Sequence, residues 1–225
     1  MKTNQLILKP KVLFFDINET ILNTDPLRSF LSYKFGENAY DLWFSKLLHY
    51  SLVSTVTDTY KNFGLIAIDA LKVVFNLKRT DFTADTSTQL LNILSSLPAF
   101  PDVLKALEIL KEKGYLIVAL SNSSEDLLKR QLTNAKIDYL FDKQISTEIF
   151  QSYKPHRDVY LKAAYLLNTP IKECMLVASH NWDVYGALCA GLRAAFIKRS
   201  EQQAYFLSLK PDIEGIGLLS LFQEL

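Results

Sequence analysis

The sequence predicts an α/β fold, a parallel sheet with helices on both faces, interrupted after its first strand by a helical insertion. Three observations predict it. Short runs of large apolar residues end in polar clusters, as in Val12–Phe15 before Asp16. Helix-like and strand-like segments alternate over the C-terminal half. Between about Asp25 and Leu97 apolar residues recur at spacings of three and four, with no convincing strand.

Taken in order, Val12–Phe15 is read as a buried parallel strand, since all four residues are apolar and a strand covered on both faces does not alternate. In the insertion, Leu42, Phe44, Leu47 and Leu48, then Ala67, Ala70, Leu71 and Val74, mark helical faces. Glycine is scarce there and Pro26 suits a helix start, so roughly four helices are expected. After Pro101 the spacing predicts a helix over Val103–Lys113, closed by Gly114. Strands follow at Tyr115–Leu120, Lys143–Ser146, Cys174–Ala178 and Ala194–Ile197. Helices follow at Asp126–Ala135, Arg157–Leu167 and Trp182–Ala190. Ser123, Ser124 and Glu125 read as capping of the helix from Asp126. The core is expected to comprise residues 1–21 and 98–225, and the insertion residues 22–97.

Bulk properties narrow the function classes. The 25 basic and 24 acidic residues give a net charge of +1, which leaves no footprint for nucleic acid or an anionic membrane. No apolar run is long enough to span a bilayer, and Met1 to Lys11 lacks the apolar stretch and cleavage site of a signal peptide. Cys174 and Cys189 are read as two reduced, buried thiols of a cytoplasmic protein. A homodimer through insertion or core helices is compatible with the sequence.

Four polar clusters follow core strands or lie on loops near them: Asp16–Thr20, Ser121–Ser124, Lys154-Pro155 and Ser179–Asp183. Strand C-termini of a parallel sheet share one edge, so the clusters should converge there. A carboxylate, a hydroxyl, a lysine and a second carboxylate in that order say more than any one alone.

These clusters carry a resemblance. FFDINETIL resembles motif I of the haloacid dehalogenase superfamily, LSNSS motif II, SYKPHRDVY motif III and VASHNWD motif IV. The likeness covers nearly the whole chain. Within the superfamily it is nearest to the (S)-2-haloacid dehalogenases, through the SN of motif II, Tyr160, the WD of motif IV and Tyr60-Lys-Asn-Phe63. The resemblance implies a Rossmann-like core with an inserted helical (C1-type) cap.

It also implies roles. Asp16 would be the nucleophile that forms an ester with its substrate. Thr20 and Ser121 would orient oxygens, Asn122 would help hold the departing halide, and Lys154 would counter the charge of Asp16. Asp183 and Tyr160 would support that arrangement. Asn18, Asn122, Phe44, Phe63, Tyr160 and Trp182 would surround a small haloacid, with water as the second substrate and no cofactor or metal.

Asn18 stands where superfamily phosphatases carry an acid that protonates the leaving group, and an amide cannot do so. Motif IV offers Ser179 and Asp183 where phosphatases hold Mg²⁺ with two acids. Phe44 stands where the well-known dehalogenases have a halide-receiving arginine. Lys46 lies about 200° further round the helix, which leaves the halide acceptor open. His180 and Glu19 replace the asparagine and glycine of those enzymes. His180 is expected to be the general base that frees the ester and Glu19 to orient its ring. Acids near helix starts are favoured anyway, so Glu19 alone is ambiguous. His49 and His156 are read as surface residues. A phosphatase, or a catalytically silent protein using the cap for binding, are the alternatives.

Overall fold

The computed structural model describes residues 9–79, 82–200, 203–223 and 225. Most of the N-terminal segment read for a signal peptide therefore lies outside the described residues. Six parallel strands form one sheet in the order β3-β2-β1-β4-β5-β6. They are β1 (Val12–Phe15), β2 (Leu116–Ser121), β3 (Lys143–Ser146), β4 (Cys174–Ala178), β5 (Arg193–Lys198) and β6 (Ile213–Ile216). The chain runs outward from β1 to β2 and β3, then returns to place β4 on the other side of β1. That reversal opens a crevice at the C-terminal ends of β1 and β4, where open α/β sheets bind ligands.

Both sheet faces are buried because strand side chains alternate. Leu13, Phe15, Ile117, Ala119, Met175 and Val177 pack on one face against α5 (Val103–Glu112) and α6 (Glu125–Asn134). Val12, Phe14, Val118, Leu120 and Leu176 pack on the other against α7 (Arg157–Leu166) and α8 (Asn181–Ala190). Phe14 and Phe15 are fully buried, each contributing about 2–3 kcal/mol.

Four helices stand between β1 and α5: α1 (Asp25–Phe35), α2 (Ala39–Val56), α3 (Phe63–Lys78) and α4 (Ala84–Ser95). The chain enters and leaves this insertion side by side, with Leu22 bridged to Ala99 and Asn23 N–H donating to Pro98 O at 2.8 Å. Leu27, Leu31, Trp43, Leu47 and Leu71 continue the apolar cluster of the first sheet face, so insertion and sheet share one core.

Three expectations need correction. Strand β6 goes unread in the sequence because its run, Ile-Glu-Gly-Ile, is short and buries only Ile213 at the sheet edge. The last helix begins at Asn181, one residue early, with His180 at its N-cap. Cys174 is buried but Cys189 is exposed, because α8 buries Asp183, Val184, Gly186, Ala187 and Ala190 and turns Cys189 outward. Among the described residues no helix is long and apolar enough to cross a membrane.

Candidate active site

The four polar clusters meet at the C-terminal edge of the sheet. Asp16 follows β1 directly, Ser121 ends β2, Lys154 lies between β3 and α7, and Ser179 and His180 join β4 to α8. Lys154 is wholly buried: its Nζ donates to Asp16 Oδ1 at 2.8 Å, Asp183 Oδ2 at 2.6 Å and Leu120 O at 2.9 Å. Thus one ammonium answers two buried carboxylates. Burial alone would lower the lysine pKa, but the charges of Asp16 and Asp183 outweigh it and raise it. Tyr160 Oη donates to Asp183 Oδ1 at 2.5 Å.

Asp16 Oδ2 accepts the Thr20 hydroxyl at 2.9 Å and lies 2.9 Å from His180 Nδ1. Thr20 in turn accepts the Ser179 N–H at 2.9 Å, which ties motif I to motif IV. Burial favours the neutral acid, yet Lys154 and His180 together bring the Asp16 pKa below the ordinary carboxylate range. Both contacts favour the ionised carboxylate. Burial and the nearby Asp16 charge raise Asp183, against the pull of Lys154.

His180 bridges two acids. Its Nε2 lies 2.8 Å from Glu19 Oε2. Burial would lower its pKa, but hydrogen bonds to Asp16 and Glu19 push it up to about 10. That direction favours an imidazolium, which would donate from both nitrogens. Although it occupies the N-cap of α8, its side chain makes no cap hydrogen bond. A preferred cap residue there would add about 1 kcal/mol to the helix, so the position gives up local stability for the bridge. Phe44 and Trp182 flank the ring, with centroids 5.6 Å and 5.0 Å away and interplanar angles of 26° and 25°.

Glu19 has φ 61°, the left-handed region that an L side chain adopts at a cost. Its Oε1 accepts hydroxyl protons from Tyr40 at 2.7 Å and Thr24 at 3.2 Å. Burial opposes ionisation, but His180, Tyr40 and Thr24 outweigh it and lower the pKa.

A cavity of about 20 Å³ lies beside Asp16, lined by Asn18, Phe44, Leu48, Phe63, Ser121, Asn122, His180 and Trp182. That volume holds about one water. Ser121 Oγ accepts the Ser123 N–H at 3.1 Å, which leaves its own proton to donate. Asn18 is tied back: its Nδ2 donates to Ser123 Oγ at 3.2 Å and its Oδ1 accepts from Gln131 at 2.9 Å.

Some predicted residues sit differently than expected. Asn122 touches the cavity, but its amide brackets Lys154, accepting the Lys154 N–H at 2.9 Å and donating to Lys154 O at 3.3 Å. Tyr160 does not line the cavity; it lies behind Asp183. Ser123 is not a helix cap but a buried partner of Asn18 and Ser121, and Ser124 caps α6 without a side-chain bond. Phe44 lines the cavity and is also one wall of the His180 stack. Lys46, on the same helix, does not line the cavity. His49 and His156 are exposed, as expected. Tyr40, Thr24 and Gln131 also join these contacts, unpredicted from the sequence. Only Tyr40 left a signal, four residues before Phe44 and so on the same helix face.

Residues 10–191 match the haloacid dehalogenase-like hydrolase family. The chain is 28% identical over 180 residues to (S)-2-haloacid dehalogenase 4A of Burkholderia cepacia, covering 79% of this chain and 78% of that one. It is 29% identical over 195 residues to (S)-2-haloacid dehalogenase 1 of Pseudomonas sp. (strain CBS-3), covering 84% and 83%. The fold superposes on L-2-haloacid dehalogenase from Xanthobacter autotrophicus with a TM-score of 0.87, 21% identity and coverage of 96% and 98%.

Proposed function

The chain belongs to the haloacid dehalogenase-like hydrolases, and on that premise we propose that it dehalogenates short (S)-2-haloalkanoic acids to (R)-2-hydroxy acids. The observation that carries this reading is the placement of Asp16, ionised beside an apolar-walled cavity and in contact with His180. A carboxylate oxygen of Asp16 attacks C2 in line, and the carbon–halogen bond breaks with its electron pair leaving on the halide. An ester now joins Asp16 to the acid. Its formation removes the negative charge that helped hold the proton on His180. The imidazolium releases that proton to solvent, and the neutral ring becomes a base. It takes a proton from water as the oxygen adds to the aspartyl carbonyl. Collapse frees the hydroxy acid and restores Asp16 and the imidazolium. C2 is displaced once, so its configuration inverts.

Supporting roles follow from position. Lys154 keeps Asp16 ionised, Thr20 orients it, and Asp183 and Tyr160 fix Lys154. Asn122 holds the Lys154 backbone, and the Ser121 hydroxyl meets the substrate carboxylate. Phe44, Phe63 and Trp182 bound the apolar side. Asn18, tied to Ser123 and Gln131, shapes the loop after Asp16.

A Mg²⁺-dependent phosphatase fits less well. Mg²⁺ needs open carboxylate oxygens in an octahedral shell. Here Asp16 and Asp183 direct oxygens to one buried ammonium, and Asn18 cannot act as an acid. The test is incubation with (S)-2-chloropropionate in chelator and ¹⁸O-labelled water. Halide release with label in Asp16 is expected. No halide and no label across several short haloacids would overturn the reading.

A further inference from the structure

The hydroxyl of Tyr40 has no role in the reaction as drawn, yet it is buried against Glu19. Tyr40 lies in α2 and is 1% exposed. A buried phenol hydroxyl costs free energy unless it is bonded, so a position that needed only packing would suit phenylalanine. Its Oη lies 2.7 Å from Glu19 Oε1 and 3.0 Å from Thr24 Oγ1. The carboxylate is the nearer acceptor and, being charged, the stronger one, so the single phenolic proton goes chiefly to Glu19. One turn on, Phe44 stacks on the Tyr40 ring at 5.8 Å and on His180 at 5.6 Å. One helix of the insertion thus packs against both members of the Glu19–His180 pair.

Glu19 has an alternative partner. Arg28 Nη2 is 3.8 Å from Oε1, beside a cleft of about 240 Å³ that also admits Asp25 and Arg199. A carboxylate on a left-handed backbone, facing an arginine and an open cleft, holds its angle to His180 only if something fixes it. The Arg28 guanidinium lies over the Tyr40 ring at 4.1 Å, so that ring stands beside the competing cation.

We propose that Tyr40 is a positioning residue of the insertion: its hydroxyl fixes the Glu19 carboxylate toward His180, so ester hydrolysis, and not ester formation, depends on it. The proposal rests on the dehalogenase reading above. It requires no contact between Tyr40 and the substrate.

The test uses Tyr40→Phe, which keeps the ring and its stacking. Single-turnover halide release from (S)-2-chloropropionate is expected to stay within about twofold of wild type, while kcat falls about tenfold and the ester accumulates on Asp16. In a Glu19→Gln background, Tyr40→Phe is expected to add no further loss, because both act through one bond. If Tyr40→Phe does not fold, Thr24→Val probes the same carboxylate and should give the same split more weakly. Unchanged kcat, an equal loss in both steps, or an additive loss beside Glu19→Gln would overturn the proposal. These outcomes are distinct from failure of the functional reading, in which wild type itself releases no halide.

Discussion

His180 Nδ1 rests 2.9 Å from Asp16 Oδ2, so the predicted base is hydrogen-bonded to the predicted nucleophile. The pair cannot serve as base and nucleophile together. In the proposed cycle the ring keeps its proton while Asp16 is charged and gives it up once Asp16 is an ester. His180→Asn should therefore leave single-turnover halide release largely intact and slow ester hydrolysis about a hundredfold or more. Mass spectrometry of the quenched enzyme should find the adduct on Asp16. Full turnover without adduct would exclude His180 as the base.

The same bridge makes stability pH-dependent, and the sign is fixed. The folded pKa of His180 is raised from 6.5 to about 10. A raised value means the protonated form is favoured by folding, so the contribution is complete below the unfolded pKa and is lost as pH rises toward 10. The melting temperature of wild type minus that of His180→Asn should be largest near pH 6 and shrink steadily to pH 10. A gap that widened or stayed level across that range would mean the ring is neutral at rest.

Much of this was legible in the sequence, for reasons that also explain the omissions. Buried strands announce themselves by uninterrupted apolar runs, so the apolar runs Val12–Phe15 and Cys174–Ala178 coincide with the observed strand bounds. Strand β6 has one buried residue and no such run. Asp16, Lys154 and His180 fall at strand ends or between core elements, where topology dictates convergence. Tyr40 reaches Glu19 across 21 positions through the docking of α2, which no local spacing encodes. Asn122 was legible as a site residue but not as a bracket on Lys154, since an amide's choice among partners is decided by tertiary geometry.

Removing the Lys154 charge should cost more than breaking an exposed ion pair, because both of its carboxylate partners are buried. Replacing it with methionine keeps the length and removes the charge, which leaves Asp16 and Asp183 buried without their counter-ion. Breaking a buried pair in this way costs about 3–5 kcal/mol. For a chain of this size that corresponds to a melting temperature lower by roughly 10 °C at neutral pH. Lowering the pH toward 4 should narrow the deficit by protonating the stranded acids. A variant that melts with wild type would show that the two carboxylates do not need the ammonium.

Gly186 tests whether the lysine is held from behind. It sits on α8, three residues after Asp183, and a Cβ there would lie 2.5 Å from Pro155 Cβ, 2.8 Å from Tyr160 Oη and 3.0 Å from Pro155 O. Alanine in a helix is worth up to about 1 kcal/mol over glycine, so propensity alone predicts a more stable Gly186→Ala. The contacts predict the opposite, because backbone and a proline ring cannot yield as a flexible side-chain tip can. We expect a net loss of about 1–3 kcal/mol by thermal denaturation. Activity should fall as well, since the displaced atoms are the residue after Lys154 and the hydroxyl that holds Asp183. Cys189→Ala, on the exposed face of the same helix, should change stability by no more than about 0.5 kcal/mol and serves as the control. If Gly186→Ala matched that control or gained stability, the close approach of α8 to the Lys154 segment would not be what positions the lysine.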